Sequence, residues 1–264
     1  MADLFDPPLE DLRADLRRLS GLLSLLRSLR DFGSTDPPAA NGDGDFGDAA
    51  RGLRTTIRSL SPELAVLSGT LVLFIAGRFE HFVRLSFQTT CDSLAAKCST
   101  FDELPEKMRK SLIFHTAEVV QSPGRFGFDG VQALGFISTL AANAAATTGL
   151  GQINSECLSI TQNNMTPATV ADLYKRIGIT TLWVDLGKQA AMKIHFVVIS
   201  DSEAESAARA RLEELMSLRN QIAHPSATPA FPDPDKVLEY VTYVETFATV
   251  LTDLSRVHVA AFNV

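Results

Sequence analysis

Leucine positions near the start of the chain follow the spacing of an amphipathic helix. Asp6 and Pro7 open this element as a capping residue followed by proline, which favours a helix start. The apolar face then recurs every three or four residues, at Leu9, Leu12, Leu16, Leu19, Leu23 and Leu26. The pattern predicts an N-terminal helix over residues 1–31 with one buried face and arginines on the others.

A segment rich in turn-forming residues follows this helix. Residues 32–49 contain glycine, proline, asparagine and aspartate, with too little apolar content to pack against a core. We therefore expect a short, flexible acidic linker here. The main domain is predicted to occupy residues 50–264.

The main domain opens with a long apolar pattern and continues with further helical ones. Ser61-Pro62-Glu63 is typical of a helix start, and the residues up to about Gly77 are apolar over most of the helix circumference, which predicts a central helix. Helical spacing marks three more stretches, at about residues 103–120, 130–147 and 167–187. Residues 194–199 are compatible with either a short strand or a helix end.

Two amphipathic helices are predicted to complete the chain. Ser202-Glu203-Ala204-Glu205 has the pattern of a capping box, so a helix is expected to begin near residue 203. It should end at His224-Pro225, because proline disfavours helical geometry in the residue before it. Asp233-Pro234 then opens the last helix. The predicted architecture is an all-α helical bundle.

Charge, cysteine content and hydropathy limit the classes of function. A net charge of −7 over 264 residues disfavours broad electrostatic capture of nucleic acid, so any RNA contact should be local. The three cysteines form no close pair, which fits a reducing compartment. The longest apolar stretch, Leu64 to Ala76, is shorter than the ~20 residues that cross a bilayer. We expect a cytoplasmic protein, without a secretory signal or a membrane span.

The helix near the C-terminus ends in residues suited to RNA chemistry, Arg219-Asn220-Gln221-Ile222-Ala223-His224. RNA can be cleaved when its 2′-hydroxyl is deprotonated and attacks the adjacent phosphorus. Histidine suits the proton transfer because both of its forms are populated near neutral pH. Arginine presents a fixed fork of donors to phosphoryl oxygens. The spacings of the other histidines, cysteines and glycines match no metal or phosphate-loop pattern, so neither a cofactor nor a metal is expected.

Helix geometry constrains how these residues can act together. Five residues of ideal helix leave Arg219 and His224 about 140° apart around the axis, whereas Asn220 and His224 share a face. A second copy of the helix, packed antiparallel, would bring Arg219 and His224 of both chains to one cleft.

The Arg-x4-His arrangement, preceded by a central helix bearing Gly77-Arg78-Phe79-Glu80-His81-Phe82 and followed by one more helix, resembles the HEPN superfamily. The RiboL-PSP-HEPN and MAE_28990-like branches are the most similar, over roughly residues 60–260. The resemblance implies a metal-independent endoribonuclease with a composite site in a homodimer. Arg219 and His224 would be the catalytic pair, Asn220 a polar contact beside the phosphate, and Glu80 an orienting carboxylate.

The resemblance also implies a biological setting and leaves alternatives open. An RNA substrate such as tRNA or mRNA, a toxin or abortive-infection role, and an antitoxin or defence-system partner would fit. Ser226 stands where many HEPN toxins carry a modified tyrosine, which favours control by a partner that covers the cleft. The alternatives are a non-catalytic HEPN-like RNA- or protein-binding module and a helical adaptor without an RNA role. Arg219 and His224 would then be surface and helix-end residues, and Glu80 would pair with Arg78 or Arg84.

Overall fold

The computed structural model describes residues 3–36, 44–224 and 231–263. Within these ranges the chain forms helices and no β-strand, which confirms the all-α prediction. The helices are α1 Asp6–Ser34, α2 Asp45–Ser59, α3 Ser61–Ala95, α4 Glu106–Gln121, α5 Gly130–Ala144, α6 Ser155–Leu158, α7 Pro167–Lys175, α8 Leu182–Gly187, α9 Ala190–Phe196, α10 Asp201–Ala223 and α11 Pro234–Ala261.

The core forms around α3 and α11, which pack against each other. α3 buries Phe79, Phe82 and Phe87, and the Phe79 ring meets Phe247 of α11 edge to face at a centroid distance of 5.3 Å. α1 covers both helices, and α10 packs on α3. The six periodic leucines of α1 are all buried, so the N-terminal helix shares its core with the residues that follow it.

Both ends of the predicted linker are helical. α1 continues to Ser34, and α2 begins at Asp45, inside the segment 32–49 that we expected to be irregular. Asp45 and Asp48 lie in the first turn of α2, where their negative charges interact favourably with the positive end of the helix dipole. α2 is held to α1 by Ile57, which lies so close to Gly33 that a Cβ at this glycine would be 2.6 Å from Ile57 Cγ2. The middle of the predicted linker, residues 37–43, lies outside the described residues.

Two further differences from the predicted elements, and the resolution of the ambiguous stretch 194–199, have local causes. The expected helix over 167–187 is divided into α7 and α8, with Gly178 between them at a φ of +95°. The ambiguous stretch 194–199 contains the end of α9, after which Val197 adopts left-handed geometry. α10 is capped by Ser200, whose side chain accepts from the Glu203 backbone N–H, while the Glu203 carboxylate accepts from the Ser200 N–H. The capping box therefore begins two residues earlier than predicted.

Only part of α3 lies at the centre of the fold, where the whole helix was predicted to be. Buried apolar positions recur at helical spacing from Val72 to Ala95, whereas about half of each of Val66, Leu67 and Phe74 on another face is exposed. By length and composition the stretch Glu63–Ala95 could cross a bilayer, yet 44% of its most apolar window is buried within the fold. The core helix of a soluble protein has the same properties.

Adjacent leucines of α1 provide a test of its place in the core. Leu23 is fully buried, whereas Leu22 is 50% exposed. Leu23→Ala should lower the free energy of unfolding by about 2–5 kcal/mol, because it leaves a cavity among packed helices. Leu22→Ala should change it by about 0.5 kcal/mol or less. Chemical denaturation followed by circular dichroism measures both, and equal effects would show that α1 does not share the core.

Candidate functional site

An open cleft of about 560 Å³ collects the four residues singled out from the sequence. The end of α10 supplies Arg219, Asn220 and His224, and α3 supplies Glu80. The cleft is completed by residues that no sequence pattern marked as part of a site: Arg84, Thr161, Gln162, Asn163, Asn164 and Thr166. The site therefore lies where α3, the end of α10 and the loop before α7 meet.

The end of α10 places Arg219 and His224 at the same cleft within one chain. His224 is the C-cap, with φ −131° and ψ 64°, and its N–H donates to the Asn220 carbonyl at 2.9 Å. Because His224 has left helical geometry, the ideal-helix separation of about 140° does not apply to it. A second chain is thus not required for both residues to line one cleft. Pro225 and Ser226 lie outside the described residues.

Arg219 is half-buried and has a neutral neighbour. Its Nη1 donates to Asn220 Oδ1 at 3.2 Å. In the part of the chain that the structure describes, no carboxylate lies within 4 Å of its guanidinium. The charge of Arg219 is therefore available to an anion in the cleft, and the planar donor fork suits a phosphoryl group.

Glu80 is paired with an arginine of its own helix. Arg84 Nη2 donates to Glu80 Oε1 at 2.6 Å and to Thr161 Oγ1 at 2.8 Å. Arg78 pairs instead with Asp15 of α1. No hydrogen bond joins Glu80 to His224 among the described residues, so the expected orienting contact is not seen. Glu80 orients Arg84, and Arg84 connects α3 to the loop that borders the cleft.

That loop, residues 159–166, is fixed from several directions. Arg176 Nη1 donates to the Ile160 carbonyl at 2.8 Å and also to the Leu158 carbonyl. Met165 is fully buried, and the Thr166 side chain caps α7 by accepting from the Thr169 N–H. A polar run between the apolar ends of α6 and α7 was its only signal in the sequence, and such runs are common in ordinary loops.

The loop also borders a second, smaller cleft of about 250 Å³. His115, Glu118, Asp172 and Arg176 line its other sides. His115 Nδ1 lies 3.2 Å from Glu118 Oε2. Burial lowers the pKa of His115, with a further lowering from the positive charge of Arg176, and Glu118 opposes both. The imidazole is therefore harder to protonate in the folded chain than in water.

Groups elsewhere that could carry chemistry are buried or dispersed. Cys91, Cys98 and Cys157 are free and buried, and burial raises the pKa of the Cys157 thiol to about 12. Across residues 3–36, 44–224 and 231–263, no three His, Cys, Asp or Glu side chains are grouped as metal ligands would be. The cleft at the end of α10 is the strongest candidate site.

A protein-family model described as RiboL-PSP-HEPN matches residues 53–255, about three quarters of the chain. The chain belongs to this HEPN family. The match includes every residue that lines the cleft and starts after α1. HEPN membership indicates a ribonuclease-type or RNA-binding function. No curated protein and no solved structure matches the chain.

The lowered pKa of His115 predicts a pH dependence of stability. The unfolded chain takes up a proton near the ordinary pKa of 6.5, whereas the folded chain does so only at lower pH. The free energy of unfolding should therefore fall as pH drops below about 6.5 and level off below the folded pKa. His115→Gln should remove part of this dependence. Denaturation between pH 5 and 8 checks it, and an unchanged slope would contradict the assignment to His115.

Proposed function

We propose that this HEPN protein is a metal-independent endoribonuclease with Arg219 and His224 as its catalytic pair. The observation that supports it best is that both residues of the Arg-x4-His motif line one open cleft, with no carboxylate of the described chain paired to Arg219. An arginine without such a partner, beside an exposed histidine, suits a phosphodiester better than it suits a structural ion pair.

The proposed reaction uses a nucleophile that the substrate carries. His224 accepts the proton of the 2′-hydroxyl, and the 2′-oxygen forms a bond to phosphorus while the P–O5′ bond breaks. The 5′-oxygen takes a proton from water, which leaves a 2′,3′-cyclic phosphate and a 5′-hydroxyl. Arg219 stabilises the additional charge on the phosphoryl oxygens. No step requires a metal-bound hydroxide.

Asn220 and Glu80 take supporting roles in this proposal. Asn220 Oδ1 accepts from both Arg219 and Asn164, so it holds the guanidinium beside the loop. Glu80 is a positioning residue, because it acts through Arg84. Arg84 adds a second cation to the cleft, although its charge is partly neutralised by Glu80.

The family and the open cleft are the basis on which we propose a biological role. We infer a cytoplasmic toxin or abortive-infection effector that cuts cellular RNA, such as tRNA or mRNA. Such an enzyme must be restrained until it is needed. An antitoxin or defence-system partner that covers the cleft would exclude the substrate, and the openness of the cleft to solvent makes this mode of control feasible.

A homodimer is part of the proposal, and one surface of α3 supports it. Val66, Leu67 and Phe74 are about half exposed, and Thr70 and Gly77 are exposed on the same side. At helical spacing this apolar strip leads to Glu80 and Arg84, which line the cleft. A second copy packed on the strip would therefore border the cleft. On α10, Leu212, Leu215 and Met216 are buried in their own chain, so this helix can contribute to the dimer interface only with its exposed residues.

Removing either catalytic side chain tests the ribonuclease. His224→Ala should slow RNA cleavage by at least about 100-fold through loss of the base. Arg219→Ala should slow it by about 100- to 1,000-fold through loss of charge stabilisation. Both variants should keep their helical circular dichroism and melting temperature. Arg209→Ala, an exposed arginine on the same helix and outside the cleft, is the matched control and should retain activity.

Substrate and chelator controls test the mechanism in the same assay. Cleavage should persist in excess EDTA and stop when the scissile nucleotide carries a 2′-O-methyl group. A requirement for magnesium, or equal cutting of DNA, would contradict the mechanism. Binding of RNA without cleavage by the unmodified chain would favour the non-catalytic HEPN-like module instead.

Light scattering at micromolar concentration tests the dimer. Phe74→Glu should convert a dimer to a monomer, because it places a charge within an apolar interface. Phe114→Glu on α4 is the matched control, since Phe114 is also exposed but lies on a different surface. A chain that is monomeric without substitution, or a dimer dissociated by Phe114→Glu alone, would contradict the α3 interface.

A further inference from the structure

The loop beside the cleft carries three consecutive amides, Gln162, Asn163 and Asn164, and a fourth amide, Asn220, faces them from α10. Amide side chains present a hydrogen-bond donor and an acceptor side by side, which is the arrangement that reads the edge of a nucleobase. Neither the catalytic pair nor the family match accounts for this cluster. The hydrogen bonds of each amide show which of the four side chains are engaged within the protein and which one is free to bind a ligand.

Three of the four amides are engaged within the protein. Gln162 Oε1 accepts from Arg125 at 3.0 Å, and its Nε2 donates to Glu118 Oε1 at 2.9 Å. Asn164 Nδ2 donates to Asn220 Oδ1, which also accepts from Arg219. These contacts, together with those of Arg84 and Arg176 to the loop, hold it in one conformation.

Asn163 differs from its neighbours. It is exposed, and within the described residues neither its Oδ1 nor its Nδ2 has a hydrogen-bond partner. It lines the catalytic cleft and also the second cleft that contains His115 and Arg176. A nucleotide bound with its phosphate at Arg219 would have Asn163 on the wall of the same cleft. The rigid loop lowers the entropy that would be lost on binding.

We propose that Asn163 reads an adenine next to the scissile phosphate. The donor and acceptor of an asparagine amide match the N6 amino group and N7 of adenine as a bidentate pair. Unpaired bases in single-stranded RNA expose these edges, so the substrate class is a single-stranded RNA segment with adenine at the cut. This inference rests on the proposed ribonuclease function and adds a specificity-determining residue to it.

Mapping of cleavage sites in an RNA of random sequence tests the proposal. The unmodified protein should cut next to adenine at least about fivefold more often than next to any other base, within the range of a bidentate amide contact. In Asn163→Ala the preference should be lost, because cleavage next to adenine slows to the rate seen next to the other bases. Asn263→Ala, which removes an exposed asparagine outside the cleft, is the matched control and should keep the preference. No adenine preference, or a preference unchanged in Asn163→Ala, would overturn the proposal.

A binding measurement separates this inference from the ribonuclease itself. Fluorescence anisotropy of His224→Ala with labelled single-stranded oligoribonucleotides should show tighter binding of an adenine-rich than of a uracil-rich strand. The difference should disappear in the double variant with Asn163→Ala. If the unmodified protein cleaves no RNA but this difference in binding is found, the proposed ribonuclease function is wrong and the proposed base contact is supported. Equal binding of the two strands would overturn the base contact, whatever the cleavage assay shows.

Discussion

Burial of one face of α3 is the constraint on which the rest of the structure depends. Phe79, Phe82 and Phe87 must leave water together, and the packing of α3 against α11 and α1 fixes the rotation of the helix about its axis. Helical geometry then determines what the remaining faces carry. Glu80 and Arg84 emerge beside the end of α10, and the apolar strip from Val66 to Gly77 remains exposed along the same helix. The core therefore positions both the cleft and the proposed dimer surface.

Charge pairing explains how an acidic chain can keep a local site for an anion. Many arginines are matched with nearby carboxylates, as in Arg256 with Asp3 and Arg30 with Asp233. Exposed pairs of this kind contribute little to stability, but they reduce the positive charge that would attract nucleic acid elsewhere on the surface. Arg219 contacts an amide instead, so its charge is directed into the cleft. The cleft therefore keeps one guanidinium that no carboxylate of the described residues neutralises.

The geometry of the cleft depends on the end of α10 and on the loop before α7. α10 stops at His224, which lets the imidazole leave the helical path. The loop before α7 is held by Arg84, Arg176 and the buried Met165, and it presents its amides to α10. Rigid elements on both sides of the cleft favour binding, because little conformational entropy remains to be lost. Stability and site geometry are therefore linked through the same few arginines.

The sequence by itself determined the helical class, the buried leucines of α1, the last helix and the Arg219–His224 motif, because each depends on residues that are close along the chain. It did not determine the start of α2 inside the linker, the break at Gly178 or the capping of α10 by Ser200. At these positions the alternative helix ends differ little in free energy. Only the tertiary structure brought Glu80, Arg84 and the loop of residues 159–166 to the end of α10. Periodicity records which face of a helix is buried, but the segment that lies opposite is chosen by packing between residues far apart in the chain.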